Sequence, residues 1–258
     1  MRGSILNKEK KGQVTIFVIV AVFIIILGVL VFLFYPKLKI TSKFSEENPE
    51  AFLQDCVEDT LRENVQTIST NGGYLNPQFF YLHQSEKFAY LCYTNQYYEL
   101  CTVQEPFLKD KVEAEITNST KEKINECFNS LREKYIQRGY SVDLKQGQIV
   151  AEILPEKILL SFPKYELSVV KESTKTFNSF NIFLDSNLYL LVSIASNVIK
   201  WETGFGESDA LIYMLVYDEL KIQKLKQFDG TKLYIIEDKN TGEKFQFASR
   251  SLAFPPGY

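Results

Sequence analysis

The chain of 258 residues contains one histidine, His83, one tryptophan and two methionines, and it has no excess of basic charge. A serine or cysteine hydrolase built on histidine would have to use His83, which stands in Tyr81-Leu82-His83-Gln84 and reads as an ordinary polar loop residue. A zinc site is disfavoured for the same reason, because no Cys-x-x-Cys spacing accompanies the single imidazole. No phosphate-binding glycine loop, dinucleotide fingerprint or Gly-x-Ser-x-Gly elbow is present, so no cofactor and no metal are expected. The net charge of −3 gives no basic stripe for nucleic acid. Paired carboxylates are the one hydrolytic chemistry left open, but 32 acidic residues in surface-like positions single out no pair. Glu113 and Glu115 share no helical face and read as solvating residues. The reading is of a protein without catalytic residues.

What is present begins with an uncharged run, Val14 to Tyr35, of 22 residues. As a helix it would measure roughly 33 Å, the thickness of a bilayer core, so one transmembrane helix is expected over 14–35. Arg2, Lys8, Lys10 and Lys11 precede it, and Pro36 with Lys37, Lys39 and Lys43 follows. This small bias favours a cytoplasmic N-terminus over residues 1–13 and an extracytoplasmic body. The expected placement is a single-pass cell-membrane protein with lipid as one partner. Three readings of the run stay open: a signal anchor, a cleaved secretory signal and a prepilin-type signal. Its length, with Tyr35-Pro36-Lys37 after it, speaks against the cleaved secretory signal.

Residues 36–47 are polar and read as a stalk. Asn48-Pro49-Glu50 is a helix start, with a capping side chain, proline in the first turn and an acid at the positive end of the dipole. Leu53, Cys56, Val57, Leu61, Val65 and Ile68 follow at helical spacing and Asn71-Gly72-Gly73 closes the element. Phe88–Tyr93 and Tyr97–Val103 read as a hairpin around Thr94-Asn95-Gln96, and a second helix is expected from Thr117 to Arg138. From Tyr140 the period becomes two, with strands expected at 140–144, 147–153, 157–163, 165–171 and 176–184. A helix is expected near 186–201, residues 208–218 fit helix or strand, and Thr231–Asp238 with Glu243–Ser249 form a hairpin around Lys239-Asn240-Thr241-Gly242. The expected fold is α+β: a helical pair with a hairpin over 48–139, then an antiparallel β-rich region over 140–258.

The four cysteines are Cys56, Cys92, Cys101 and Cys127. Cys56 and Cys127 fall on the apolar faces of the two N-terminal helices, and Cys92 and Cys101 flank the turn. The pairing 56–127 with 92–101 is therefore sensible, although four cysteines permit three connectivities. Disulfides persist outside the reducing cytosol, which favours an exported body. Asn118-Ser119-Thr120 is a single glycan sequon.

Lys10-Lys11-Gly12-Gln13-Val14-Thr15-Ile16-Phe17 resembles the archaeal class III, prepilin-like signal, which implies cleavage by a membrane peptidase between Gly12 and Gln13. Phe17 stands where many pilins carry an acid. Leu53-Gln-Asp-Cys56-Val57, Gly72-Gly73-Tyr74-Leu75, Phe228-Asp-Gly-Thr-Lys-Leu-Tyr-Ile-Ile236 and Phe245-Gln-Phe-Ala-Ser-Arg250 resemble a group of uncharacterised single-pass surface proteins of small-genome archaea. That resemblance implies an exported α+β body. The function expected is a module for cell-surface interaction or assembly, pilin-like in one version, with a protein partner or self-assembly. The alternatives are the ligand-binding subunit of a sensor or transport complex and a carboxylate-based hydrolase.

Overall fold

A computed structural model of the protein describes residues 18–27 and 45–253. The chain divides into two units, Met1–Ser42 and Lys43–Tyr258. In the first, residues 18–27 are helical. Among the described residues no helix is long and apolar enough to cross a membrane, and this overturns the expected transmembrane helix as an element of the fold. The rest of that stretch, 14–17 and 28–35, lies outside the described residues, as do Gly12 and Gln13.

The second unit starts where the sequence places it. Asn48 Oδ1 accepts the Ala51 N–H and opens α1, Pro49–Thr70. Leu53, Val57, Leu61, Val65 and Ile68 form one buried stripe along α1, each burial contributing about 1.5–3 kcal/mol. The residues expected to be a free stalk are tied down at their end. Glu46 accepts hydrogen bonds from Arg138 and Tyr140 through its carboxylate, and from Tyr135 through its carbonyl.

The second helix, α2, spans Leu108–Gln137 and begins nine residues before the expected Thr117. Its polar first turns hide a buried row, Leu108, Val112, Ile116, Thr120 and Ile124, at four-residue intervals. Cys56 on α1 and Cys127 on α2 are joined. Between the helices lie β1, Phe80–His83, β2, Glu86–Tyr93, and β3, Thr102–Val103. His83 is the last residue of β1 rather than part of a loop, opposite Glu86 across a turn with positive φ at Gln84 and Ser85. The expected hairpin around Thr94-Asn95-Gln96 shortens to two pairs, Cys92 with Val103 and Tyr93 with Thr102. Residues 94–101 become a loop.

Four strands follow: β4, Ser141–Lys145, β5, Val150–Leu154, β6, Lys157–Val170, and β7, Thr174–Asp185. The two strands expected at 157–163 and 165–171 are one. β5 pairs with the first half of β6 and β4 with the second, while β7 pairs along both halves. A bulge between Phe162 and Glu166 shifts the pleat by one residue. Buried positions are Ile158, Leu160 and Phe162 before it and Tyr165, Leu167 and Val169 after it, so the core face is kept on one side. Gly147 packs against this bulge, where a Cβ would sit 2.1 Å from the Pro163 carbonyl oxygen.

The outer edges of β5 and of the second half of β7 are capped by helix side chains. Glu50 and Gln54, one turn apart on α1, accept the N–H groups of Asn181 and Phe183 on β7 at 2.6 and 2.9 Å. Glu113 and Thr117, one turn apart on α2, accept those of Ile153 and Ala151 on β5 at 2.7 and 3.1 Å. Glu113 is thus a strand cap, not a solvating residue, and Glu115 likewise accepts the Leu75 N–H.

The remaining elements are α3, Leu188–Phe205, α4, Ala210–Val216, β8, Leu220–Lys226, β9, Lys232–Asp238, and β10, Lys244–Arg250. The ambiguous 208–218 is resolved as helix, capped by Asp209 Oδ1 on the Leu211 N–H. The strands β1, β2, β10, β9 and β8 run in that order, with β3 beside β2. β10 pairs antiparallel with β9 and parallel with β2, so this sheet is mixed and joins the two regions that sequence reading kept apart. The fold is α+β, but not a helical module followed by an antiparallel one. α1 touches β7 of one sheet and β10 of the other; α3 touches β9 and β10 on one side and β5 and β6 on the other. One continuous core joins both sheets through the helices.

Gly147→Ala is expected to destabilise the body by about 1–3 kcal/mol through overpacking at the bulge. Gly204→Ala, in open space on α3, should be neutral or stabilising by up to about 1 kcal/mol. Urea unfolding of both variants checks the contrast.

Candidate functional site

The apolar stripe of α3 runs Leu188, Leu191, Val192, Ala195, Val198 and Ile199, and then ends on a fully buried carboxylate, Glu202. On β9 the inward positions are Lys232, Tyr234 and Ile236, and on β10 they include Phe245, Phe247 and Ser249. Packing these faces together brings the charges into contact. Lys232 Nζ lies 2.5 Å from Glu202 Oε2 and donates to the Gly206 carbonyl at 2.5 Å. Ser249 donates to Glu202 Oε2 at 3.0 Å, and Tyr234 donates to Oε1 at 2.5 Å. Burial first, and then the Glu202 charge, drive the Tyr234 hydroxyl far above its ordinary pKa, so it stays a donor. Each charge is hydrogen-bonded, the condition under which a buried pair is tolerated.

Glu207 stands at the edge of this network, 3.4 Å from Lys232 and bonded to Lys224. Burial alone would raise its pKa. The Lys224 hydrogen bond and the charges of Lys232, Lys224 and Lys226 outweigh that and hold its carboxyl below the usual value.

Above the network sits the loop 94–101, closed by the Cys92–Cys101 disulfide. Ser251 Oγ accepts the Cys101 N–H and donates to the Glu202 carbonyl, both at 3.2 Å. The Thr94 and Tyr98 N–H groups donate to the carbonyls of Arg250 and Leu252, and Leu252 N–H returns a bond to the Glu99 carbonyl. Arg250 also donates to the Thr94 carbonyl at 2.9 Å. Pinned in this way, Tyr98 adopts φ +64, a conformation that is strained for a bulky side chain. Tyr98 is 77% exposed, and Tyr97 and Leu100 beside it also face solvent.

The end of α3 extends this surface. Leu100 lies against Gly206, where a Cβ would be 3.5 Å from its side chain and 2.6 Å from that of Ala253. With φ at +75, only glycine suits this cap. Just before it, Trp201 and Phe205 are exposed, one turn apart, with ring centroids 4.9 Å apart. Beyond it, α4 turns Met214 inward, where its sulfur meets the Ile222 N–H at 3.3 Å on the β8 edge, and turns Leu211, Ile212, Leu215 and Val216 outward. Leu215 is 84% exposed. Single exposed apolar residues are ordinary, but Leu211, Ile212, Leu215 and Val216 stand together on one short helix.

Of the residues singled out in the sequence, Cys92 and Cys101 belong to this site, and Cys56 and Cys127 fasten the helices elsewhere. His83 lies on β1 against Phe88 and takes no part. Among the described residues no cluster of three or more histidine, cysteine or acidic side chains could hold a metal ion. Glu202, Lys232 and Tyr98 were not anticipated. The sequence carried a signal for the first two: a lone acid on the apolar stripe of α3, and a lone base on the inward parity of β9. No protein-family model, curated protein or solved structure matches the chain.

Glu202→Ala leaves Lys232 buried without its nearest partner and is expected to destabilise the body by about 3–5 kcal/mol in denaturant unfolding. It should also speed hydrogen exchange at the Cys101 amide. Because the Glu207 pKa is depressed in the folded state, its contribution is complete above about pH 4.5 and fades as pH falls through the folded value. Glu207→Gln should therefore flatten the acid limb of the stability–pH curve without changing its neutral-to-alkaline slope.

Proposed function

We propose that the body is an exported recognition module that holds a protein partner through the tyrosine loop and the aromatic end of α3. The observation that carries this reading is Tyr98, kept in a strained backbone conformation by a disulfide and three backbone bonds while its ring projects into solvent. Strain maintained by so many contacts, under a side chain that itself touches solvent, is an outlier of the kind that accompanies function. Tyrosine suits such a role because it offers a large contact area with few rotors to freeze, and a closed loop loses little entropy on binding. Export is supported by the two disulfides and by the fact that no cysteine is left free.

A photocrosslinking amino acid at position 98, in the full chain expressed in its own cells, is expected to yield an adduct of one defined mass. The same group at Lys175, exposed on β7, should not yield it. Tyr97→Ala with Phe205→Ala should reduce the position-98 adduct by about 30-fold, as for loss of interface anchors worth about 2 kcal/mol, while unfolding changes by less than about 0.5 kcal/mol. Equal adducts at 98 and 175, or an adduct indifferent to the double substitution, would refute the reading.

A further inference from the structure

At the end of α3 remote from the tyrosine loop, a cleft of about 330 Å³ opens between α1, the β7–α3 junction and the β9–β10 turn. Its floor is apolar: Val65 from α1, Leu184 from the end of β7, and Leu188 and Leu191 from α3. Two cations stand on its rim, Arg62 and Lys244. Arg62 forms an ion pair with Glu58, one turn back on α1, through Nη2 at 2.9 Å, and its other N–H groups have no partner among the described residues. The nearest carboxylate to Lys244 is that of Glu237, 4.0 Å away and beyond hydrogen-bonding distance.

The lining also holds one acid, Glu243, whose Oε2 accepts the Asn187 N–H at 2.6 Å. The wall that carries Lys244 is preformed. Asp238, 1% exposed, accepts the Asn240 and Thr241 N–H groups at 2.7 and 3.2 Å, and its own side chain accepts from Asn187 at 2.7 Å. An apolar floor with a few fixed polar groups is the usual make-up of a small-molecule site, and the volume lies at the small end of such sites. It suits an organic acid or one apolar residue.

We infer that this cleft binds a small carboxylate with an apolar body, its charge held between Arg62 and Lys244 and its body on Val65, Leu184, Leu188 and Leu191. A free organic acid and the C-terminal residue of a peptide share this chemistry. The site is independent of the tyrosine loop, so either can fail without the other.

Calorimetric titration of the full chain tests the inference with four probes: hexanoate, hexanol, hexylamine and N-acetyl-leucine. Saturable binding of hexanoate or N-acetyl-leucine is expected in the millimolar range or tighter, given about eight to twelve ligand atoms. Hexanol should bind at least about tenfold more weakly and hexylamine not at all. Arg62→Gln and Lys244→Gln should each weaken the preferred acid about tenfold, with thermal unfolding unchanged. Tighter binding of N-acetyl-leucine would identify a peptide end as the occupant, and tighter binding of hexanoate a free acid. Equal affinity for hexanoate and hexanol, absence of saturation by both acids, or indifference to both substitutions would overturn the proposal.

Discussion

A carboxylate without solvent exposure sits where α3, β9, β10 and the tyrosine loop meet. Glu202 accepts from Lys232, Tyr234 and Ser249 through its side chain and from Ser251 through its carbonyl. Charge in this position is costly to desolvate, and hydrophobic residues of equal volume would often be as stable. What the charge adds is selectivity. Apolar side chains tolerate sliding, whereas an ion pair with directional hydrogen bonds accepts one register of helix on strand. The loop inherits that register, since Ser251 passes it to the Cys101 amide. Exposed tyrosines are thus fixed in place by a group that never meets solvent.

A similar division of labour governs the strand edges. Pairs of polar side chains one helical turn apart take the outward N–H groups of β5 and β7, and a methionine sulfur meets that of Ile222 on β8. Open edges invite pairing with other chains, and these stretches of β5, β7 and β8 are covered locally. The tyrosine loop and the outer face of α4 expose side chains instead.

Much of this was legible from local pattern. The stripe of α1, the closing hairpin and the pairing of Cys56 with Cys127 follow from periodicity, because both cysteines ride faces that must bury. The pairing of Cys92 with Cys101 was anticipated on a hairpin that proved mostly loop; the turn brings the two together although Cys92 lies opposite Val103. The first turns of α2 were missed because lysines and glutamates outnumber the buried row. β8 was missed because Leu220, Ile222 and Leu225 break strict alternation where Leu225 joins the opposite face. Glu202 and Lys232 were each visible as a charge on the wrong face. Their meeting was not, because it depends on the packing of α3 across β9 and β10, and no local pattern encodes that packing or the parallel alignment of β2 with β10. The apolar run at 14–35 is a strong compositional signal, yet among the described residues no helix is long and apolar enough to cross a membrane.

That parallel alignment has a temporal consequence. β2 lies near the start of the folded body and β10 near its end, yet β10 is the strand that links β2 to β9. A chain emerging in order must hold β2, with the apolar Phe88 and Leu91, without its neighbour until nearly everything else has appeared. Such distant pairing is slow, because loop-closure entropy is lost before any contact rewards it. The ring closed by Cys92 and Cys101, nine positions apart, needs no distant partner and can form early. Oxidation would then shape the surface first, and the final strand would arrive to lock a loop already made.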